Sequence, residues 1–230
     1  MICGHSTILI MIGKKLFDKP LETIFHTEAW NSIMEKCLGL ERRKIINSVG
    51  NYNYYYQRKF LLKYFLSPPQ MYYSTYGGPI LTNVSDNWKD ELKSLIRKSE
   101  KESMALYYSI KLPPFYPYQI FAESGYKIRQ SKTSIIELGG GIEKIWKNMK
   151  KSIRKKIRKA ERNEINVVVV KEGKLLSEYL KMLDLTLPSW ALRLPENFLS
   201  EILNVLGQQN KVRFTLAFSE NEIIAGAIHL

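Results

Sequence analysis

"MKKSIRKKIRKAERN", residues 149–163, carries eight Lys or Arg in fifteen positions. Whether it is a free basic arm or a helix docked on a core decides how the whole chain is read. Extended upstream, the apolar residues Ile142, Ile145, Trp146, Met149, Ile153, Ile157 and Ala160 recur in steps of three and four. That spacing predicts one continuous helix with one apolar stripe, and such a stripe predicts docking on a core, with Lys and Arg on the remaining faces. Residues 143–162 hold ten Lys or Arg against Glu143 and Glu161, a net of +8 out of +13 for the chain. The basicity is therefore a local device, and it points to an anionic partner at this segment.

The segments on either side place that helix in an α/β chain. "INVVVVKEG" (165–173) follows it and reads as a buried, β-branched strand; "KTSIIEL" (132–138) precedes it and reads as another, with Gly139–Gly141 as punctuation. Further downstream come helices at about 174–187 and 195–209, then "VRFTLAFSENEIIAGAIHL", two strands joined by the turn "SENE" as an antiparallel hairpin. Upstream, the first dozen residues read as an edge strand. "HTEAWNSIMEKCLGL" (26–40) reads as a short amphipathic helix capped by Thr27, and "YNYYYQRKFLLKYFL" (52–66) as strand followed by strand. "SPPQMYYSTYGGPILT" (67–82) reads as a proline turn, an aromatic strand and a Gly-Gly-Pro turn leading into a helix at 86–103 capped by Asp86. A strand at 104–112 and a short helix at 118–128, ended by Gly125, complete the set. Hairpins and helical crossovers together predict an α/β (α+β) fold with a mixed sheet.

At 230 residues, 45% of them hydrophobic, with 14 Tyr, 9 Phe and 4 Trp, the chain can bury a core and is not a disordered tail. Cys3 and Cys37 have no ligand-like spacing, so neither a disulfide framework nor a metal site is expected. The early apolar run "ILIMIG" (8–13) is too short to span a bilayer, and its positive charges follow it instead of preceding it. A cytoplasmic protein without an integral membrane segment is expected, with peripheral contact at the inner membrane face left open. The chain stops on the apolar strand "IIAGAIHL", which predicts a truncated domain.

Several separated motifs, in order, resemble the FemAB-like branch of the Gcn5-related N-acyltransferase (GNAT) superfamily. They are "FHTEAW" (25–30), "SPPQMYYSTYGGPIL" (67–81), "GYKI" (125–128), "TSIIEL" with "IEKIWKNMKKSIRKKIRKAERNEINVVV" within 133–169, and "AGAIHL" (225–230). The resemblance implies tandem GNAT-like acyl-CoA N-acyltransferase subdomains, 1–138 and 139–230, the second incomplete because the phosphate-cradling loop expected after "AGAIHL" is absent. It implies an acyltransferase that forms an amide from an activated aminoacyl or acyl group. The donor would be aminoacyl-tRNA or acyl-CoA, with no tightly bound cofactor. The acceptor would be an amine on a phosphate-bearing small or lipid-linked substrate, such as a peptidoglycan (cell wall) precursor. At Arg193 it implies contact with the substrate's anionic part.

The residues give candidates for such chemistry but no catalytic signature. Gly77 and Gly78 could let backbone approach a phosphate, or could form a plain tight turn; Tyr76 beside them could hydrogen-bond a substrate. Arg193, in a Pro-flanked loop, suits bidentate contact with a pyrophosphate or carboxylate, or a surface salt bridge. Arg154 and Arg158 suit a substrate phosphate or a tRNA backbone, and the bland alternative is a solvated charged face. His26 and His229 are candidate bases by residue type alone. No motif for specific DNA readout accompanies the helix. The alternatives to the enzyme are a nucleic-acid-binding module using the basic helix 144–162 and an inactive fragment of such a transferase.

Overall fold

The structure, a computed structural model, describes residues 22–59, 62–69, 75–83, 85–131, 136, 138–170, 173–188, 195 and 197–230. It is a mixed α/β chain with seven α-helices and eight strands among those residues. The chain divides into two compact units, Met1–Arg129 and Gln130–Leu230.

In the first unit a 3-10 turn, Ile24–His26, leads into helix α1, Glu28–Leu38. Thr27 caps α1 as its position predicts: its Oγ1 accepts the Trp30 N–H at 3.3 Å, and Gly39 ends the helix with φ +59°. Strands β1 (Glu41–Ile46), β2 (Gly50–Lys59) and β3 (Leu62–Ser67) form an antiparallel meander. Strand β4, Pro79–Leu81, pairs antiparallel with Gly50–Tyr52 of β2. Because β1 occupies the other edge of β2, β3 and β4 share this edge end to end. Helix α2, Trp88–Ser103, then crosses over to β5, Tyr107–Ile110, which runs parallel to β3 in the register Tyr64↔Tyr107 to Ser67↔Ile110. The sheet is therefore mixed. The N-cap of α2 is Asn87 instead of Asp86, and its side chain makes no cap hydrogen bond. A short helix α3, Gln119–Glu123, closes the unit.

Alternation along β2 sorts its side chains between two layers. Tyr52 and Tyr54 pack with Phe65 against Leu92, Leu95 and Ile96 of α2, the i, i+3, i+4 face of that helix. Tyr55 points to the opposite side, where its hydroxyl donates to Asn31 Oδ1 of α1. Helices thus cover both faces of this sheet.

The second unit opens with helices α4, Gly141–Asn148, and α5, Lys151–Arg162. The single helix expected over this stretch is two. Met149 and Lys150 are extended, with ψ 142° and 139°. Nor is the apolar stripe committed to a core: neither helix has a buried residue, and Ile142 is 82% exposed. Strand β6, Asn166–Val170, follows, then helices α6 (Gly173–Thr186) and α7 (Phe198–Gly207), and the hairpin β7 (Arg213–Ser219) and β8 (Glu222–His229) turning at Glu220–Asn221. The sheet order is β6-β7-β8, all antiparallel. Val170, Phe214 and Leu216 face a core made with Leu176, Tyr179, Phe198, Leu199, Ile202 and Leu206.

The other face of this sheet is open, with Val167 62% and Val169 47% exposed. The expected burial of 165–173 and of "IIAGAIHL" is largely unmet: among the described residues only Val170 of β6 is buried, and β8 has no buried residue. β-branched residues favour the pleated backbone whether one face or two is covered, so the Val run did not report burial. The strands expected in the first dozen residues and at 132–138, and the aromatic strand at 70–74, lie wholly or mainly outside the described residues.

Candidate functional site

In an open sheet with parallel strands, ligands favour the crevice beyond the carboxyl ends of those strands. In the first unit that is the end of β3 and β5, and the chain brings several functional groups there. After β5 the Lys111 N–H donates to the Ser67 carbonyl at 2.8 Å, while the Lys111 carbonyl accepts the Gly77 N–H at 2.8 Å. Ser67 Oγ donates to the Asn53 carbonyl at 2.9 Å and accepts the Gly78 N–H at 3.0 Å. Gly77 and Gly78 are both buried and enter β4 directly, so they do not lead into a helix as the sequence suggested.

Glycine is required here by packing. A Cβ on Gly77 would lie 2.4 Å from the Ser67 carbonyl carbon and 2.5 Å from Pro68 N. Gly78 has φ +92°. Both glycine amides are already taken, so neither is free to donate to a ligand. Tyr76 lies beside them, half-buried, with its ring edge-on to Phe25 at 5.9 Å and the Lys111 ammonium 5.7 Å from its centroid. Tyr76 and Lys111 are therefore polar side chains that, among the described residues, this end of the sheet offers to a ligand. Lys111 was missed by sequence reasoning, because only the β3–β5 pairing brings it to Tyr76.

His26 is in the same unit, with its ring buried. Its Nδ1 accepts the Thr23 N–H at 3.1 Å and lies 2.9 Å from Thr23 Oγ1. Because Nδ1 accepts, the neutral ring carries its proton on Nε2, which finds no acceptor in hydrogen-bond geometry. Burial lowers its pKa; the Gly77 backbone and Glu22 oppose that shift without reversing it. His26 thus stays neutral and locks the turn before α1. In this tautomer Nε2 cannot take a proton from a substrate. His229, the other candidate, is exposed at the end of β8, opposite Arg213.

In the second unit the break between α4 and α5 sets the geometry of the basic segment. Arg154 Nη1 donates to the carbonyls of Trp146 at 3.0 Å and Lys147 at 2.9 Å in the last turn of α4, where the Trp146 carbonyl also accepts the Met149 N–H at 3.3 Å. The Arg158 guanidinium lies 5.8 Å from the centroid of the Trp146 ring, and Arg162 Nε donates to the Arg158 carbonyl at 3.3 Å. Trp146, Lys147, Lys151, Arg154, Lys155, Arg158 and Arg162 line one open groove, with Glu161 as its carboxylate. Among the described residues, none of the eight cations between 150 and 162 forms an ion pair. Arg154 and Arg158 are thus brought together, with Trp146 as a partner the sequence treated only as part of an apolar stripe.

Arg193 lies outside the described residues. Among the described residues, no helix is long and apolar enough to cross a membrane. Compared with protein-family models and with curated proteins, the chain matches none.

Proposed function

We propose that the chain is an acyltransferase of the FemAB-like, GNAT kind, built as two acyltransferase-like subdomains, 1–138 and 139–230. In this reading it transfers an aminoacyl or acyl group from acyl-CoA or aminoacyl-tRNA to an amine on a phosphate-bearing substrate. The observation that carries the reading is the convergence of Tyr76 and Lys111 at the carboxyl ends of the parallel strands β3 and β5. Amide formation from an ester or thioester needs a positioned amine and donors for the developing oxyanion more than it needs a dedicated nucleophile. The Gly77 and Gly78 amides are engaged within the fold, so the Tyr76 hydroxyl and the Lys111 ammonium serve as donors. The glycines hold the backbone that carries Tyr76. In the second unit, taken by itself, Arg158 offers positive charge to an anion, while Arg154 ties α5 to the end of α4.

The test uses the full chain with acyl-CoA thioesters and with aminoacyl-tRNA, and hydroxylamine as a generic amine. Thiol release and hydroxamate formation are the readouts. Amine-dependent consumption of one donor class is expected, reduced about tenfold or more by Tyr76→Phe or Lys111→Met with circular dichroism unchanged. Consumption of neither donor, or variants as active as the parent, refutes the reading.

A further inference from the structure

We propose that helices α4 and α5 form a docking surface for an anionic phospholipid bilayer, on which the protein sits peripherally. This stands on residues 136–162 alone, whether or not the chain transfers an acyl group. Large apolar side chains and cations are exposed together there: Ile136 66%, Leu138 73%, Ile142 82% and Ile153 43% exposed, within a stretch whose residues 143–162 carry a net +8. Within α5, Ile153, Ile157 and Ala160 form one face, flanked by Arg154 on one side and Lys156 on the other. That is the arrangement of a helix lying in a membrane interface, with its apolar face among acyl chains and its cations among headgroup phosphates.

Charge complementarity chooses the occupant. A phosphodiester groove needs free Arg forks and an open aromatic face. Here Arg154 is bound to the Trp146 and Lys147 carbonyls, Arg162 donates to the Arg158 carbonyl, and Arg158 lies over the Trp146 ring. The other seven of the ten cations in 143–162 are Lys. Flexible, strongly hydrated ammonium groups suit a fluid sheet of headgroups better than a fixed phosphate geometry. Exposed Ile and Leu have no role on a nucleic-acid backbone, whereas a bilayer removes them from water.

The experiment is flotation of the full chain with phosphatidylcholine vesicles, with and without phosphatidylglycerol, at low and high salt. Binding is expected only with phosphatidylglycerol and should weaken as salt rises. Lys151→Glu with Lys155→Glu should lower the partition coefficient at least tenfold. Ile142→Ser with Ile153→Ser, which leaves charge untouched, should lower it about tenfold. All four positions are outside both cores, and circular dichroism confirms that each variant is folded. Equal binding with and without phosphatidylglycerol, absence of binding, or an Ile142→Ser/Ile153→Ser partition equal to the parent's overturns the proposal. So does displacement of bound protein from the vesicles by single-stranded homopolymer RNA at matching phosphate concentration, which would assign the groove to nucleic acid.

Discussion

Gly77→Ala separates a glycine needed for packing from one needed for ligand approach. The added Cβ would sit 2.4 Å from the Ser67 carbonyl carbon, 2.5 Å from Pro68 N and 2.6 Å from the Ser67 carbonyl oxygen, all of them backbone atoms. Since none can rotate away, the Gly77 segment must move off the end of β3 by about an ångström. That movement breaks the Gly77-to-Lys111 and Gly78-to-Ser67 hydrogen bonds, each worth about 1 kcal/mol. Overpacking adds about 1–3 kcal/mol. The expected loss is about 3–5 kcal/mol, a large share of a small unit's stability.

Gly78→Ala differs in kind. Its Cβ meets the tip of the Leu112 side chain, which can yield, so its cost is chiefly the positive φ, about 1–2 kcal/mol. Urea unfolding followed at the aromatic core of the first unit should show a midpoint lowered by roughly 2 M for Gly77→Ala, and by clearly less for Gly78→Ala. Hydrogen exchange should localise both losses to β3 and β5. If both variants unfold at the parental midpoint and lose only ligand binding, the packing argument is wrong and the glycines serve a ligand.

Three further outcomes test the remaining features. Burial holds the folded His26 pKa below its ordinary 6.5, so the unfolded chain binds that proton first. Its contribution is fully present above the unfolded pKa and is lost as pH falls through 6.5 toward the folded value; His26→Gln should flatten the fall in urea midpoint over that window, and parallel profiles would exclude His26 as its source. Arg154→Ala removes the side-chain hydrogen bonds to the Trp146 and Lys147 carbonyls at a half-exposed site, so α4 should lose roughly 1 kcal/mol of exchange protection, with Lys151→Ala unchanged as a control. Phe214→Ala should cost the second unit about 3–5 kcal/mol, whereas Val169→Ala on the open face of the same sheet should cost only a few tenths; equal costs would mean that both faces are covered.

Several signals with a local cause were readable, though the Asp86 cap was not one of them. Thr27 ahead of Trp30, "SENE" between two apolar runs, and Leu92, Leu95 and Ile96 at helical spacing each act within a few residues, and each shows up in the fold. The paired strands in the Tyr-rich stretch were readable from β propensity, though not their register. The candidate site was less legible. Tyr76, Gly77 and Gly78 stood out as residue types, but Lys111 joins them only through a parallel pairing across the sixteen-residue helix α2. No local pattern encodes that pairing. The break at Met149–Lys150 was invisible for a related reason: neither residue is Gly or Pro, and the break is held by the Arg154 side chain reaching back to Trp146 and Lys147.

The basic segment shows what a hydrophobic period can and cannot say. Steps of three and four identify which side of a helix is apolar, because they follow from 3.6 residues per turn. They do not say that protein covers that side. α7, α4 and α5 are all amphipathic, yet Phe198, Leu199, Ile202 and Leu206 of α7 are buried whereas Ile142 of α4 and Ile153 of α5 are exposed. What separates them is the flanking charge. The apolar face of α7 is bordered mainly by neutral residues and seats on a sheet, while that of α5 is bordered by Lys and Arg that form no ion pair among the described residues. An apolar face so bordered can join a protein core only by crowding its cations together, whereas an anionic interface neutralises the cations as it buries the face. The same ten cations that first suggested nucleic acid therefore argue, once their neighbours are placed, for a surface that offers phosphate and hydrocarbon together.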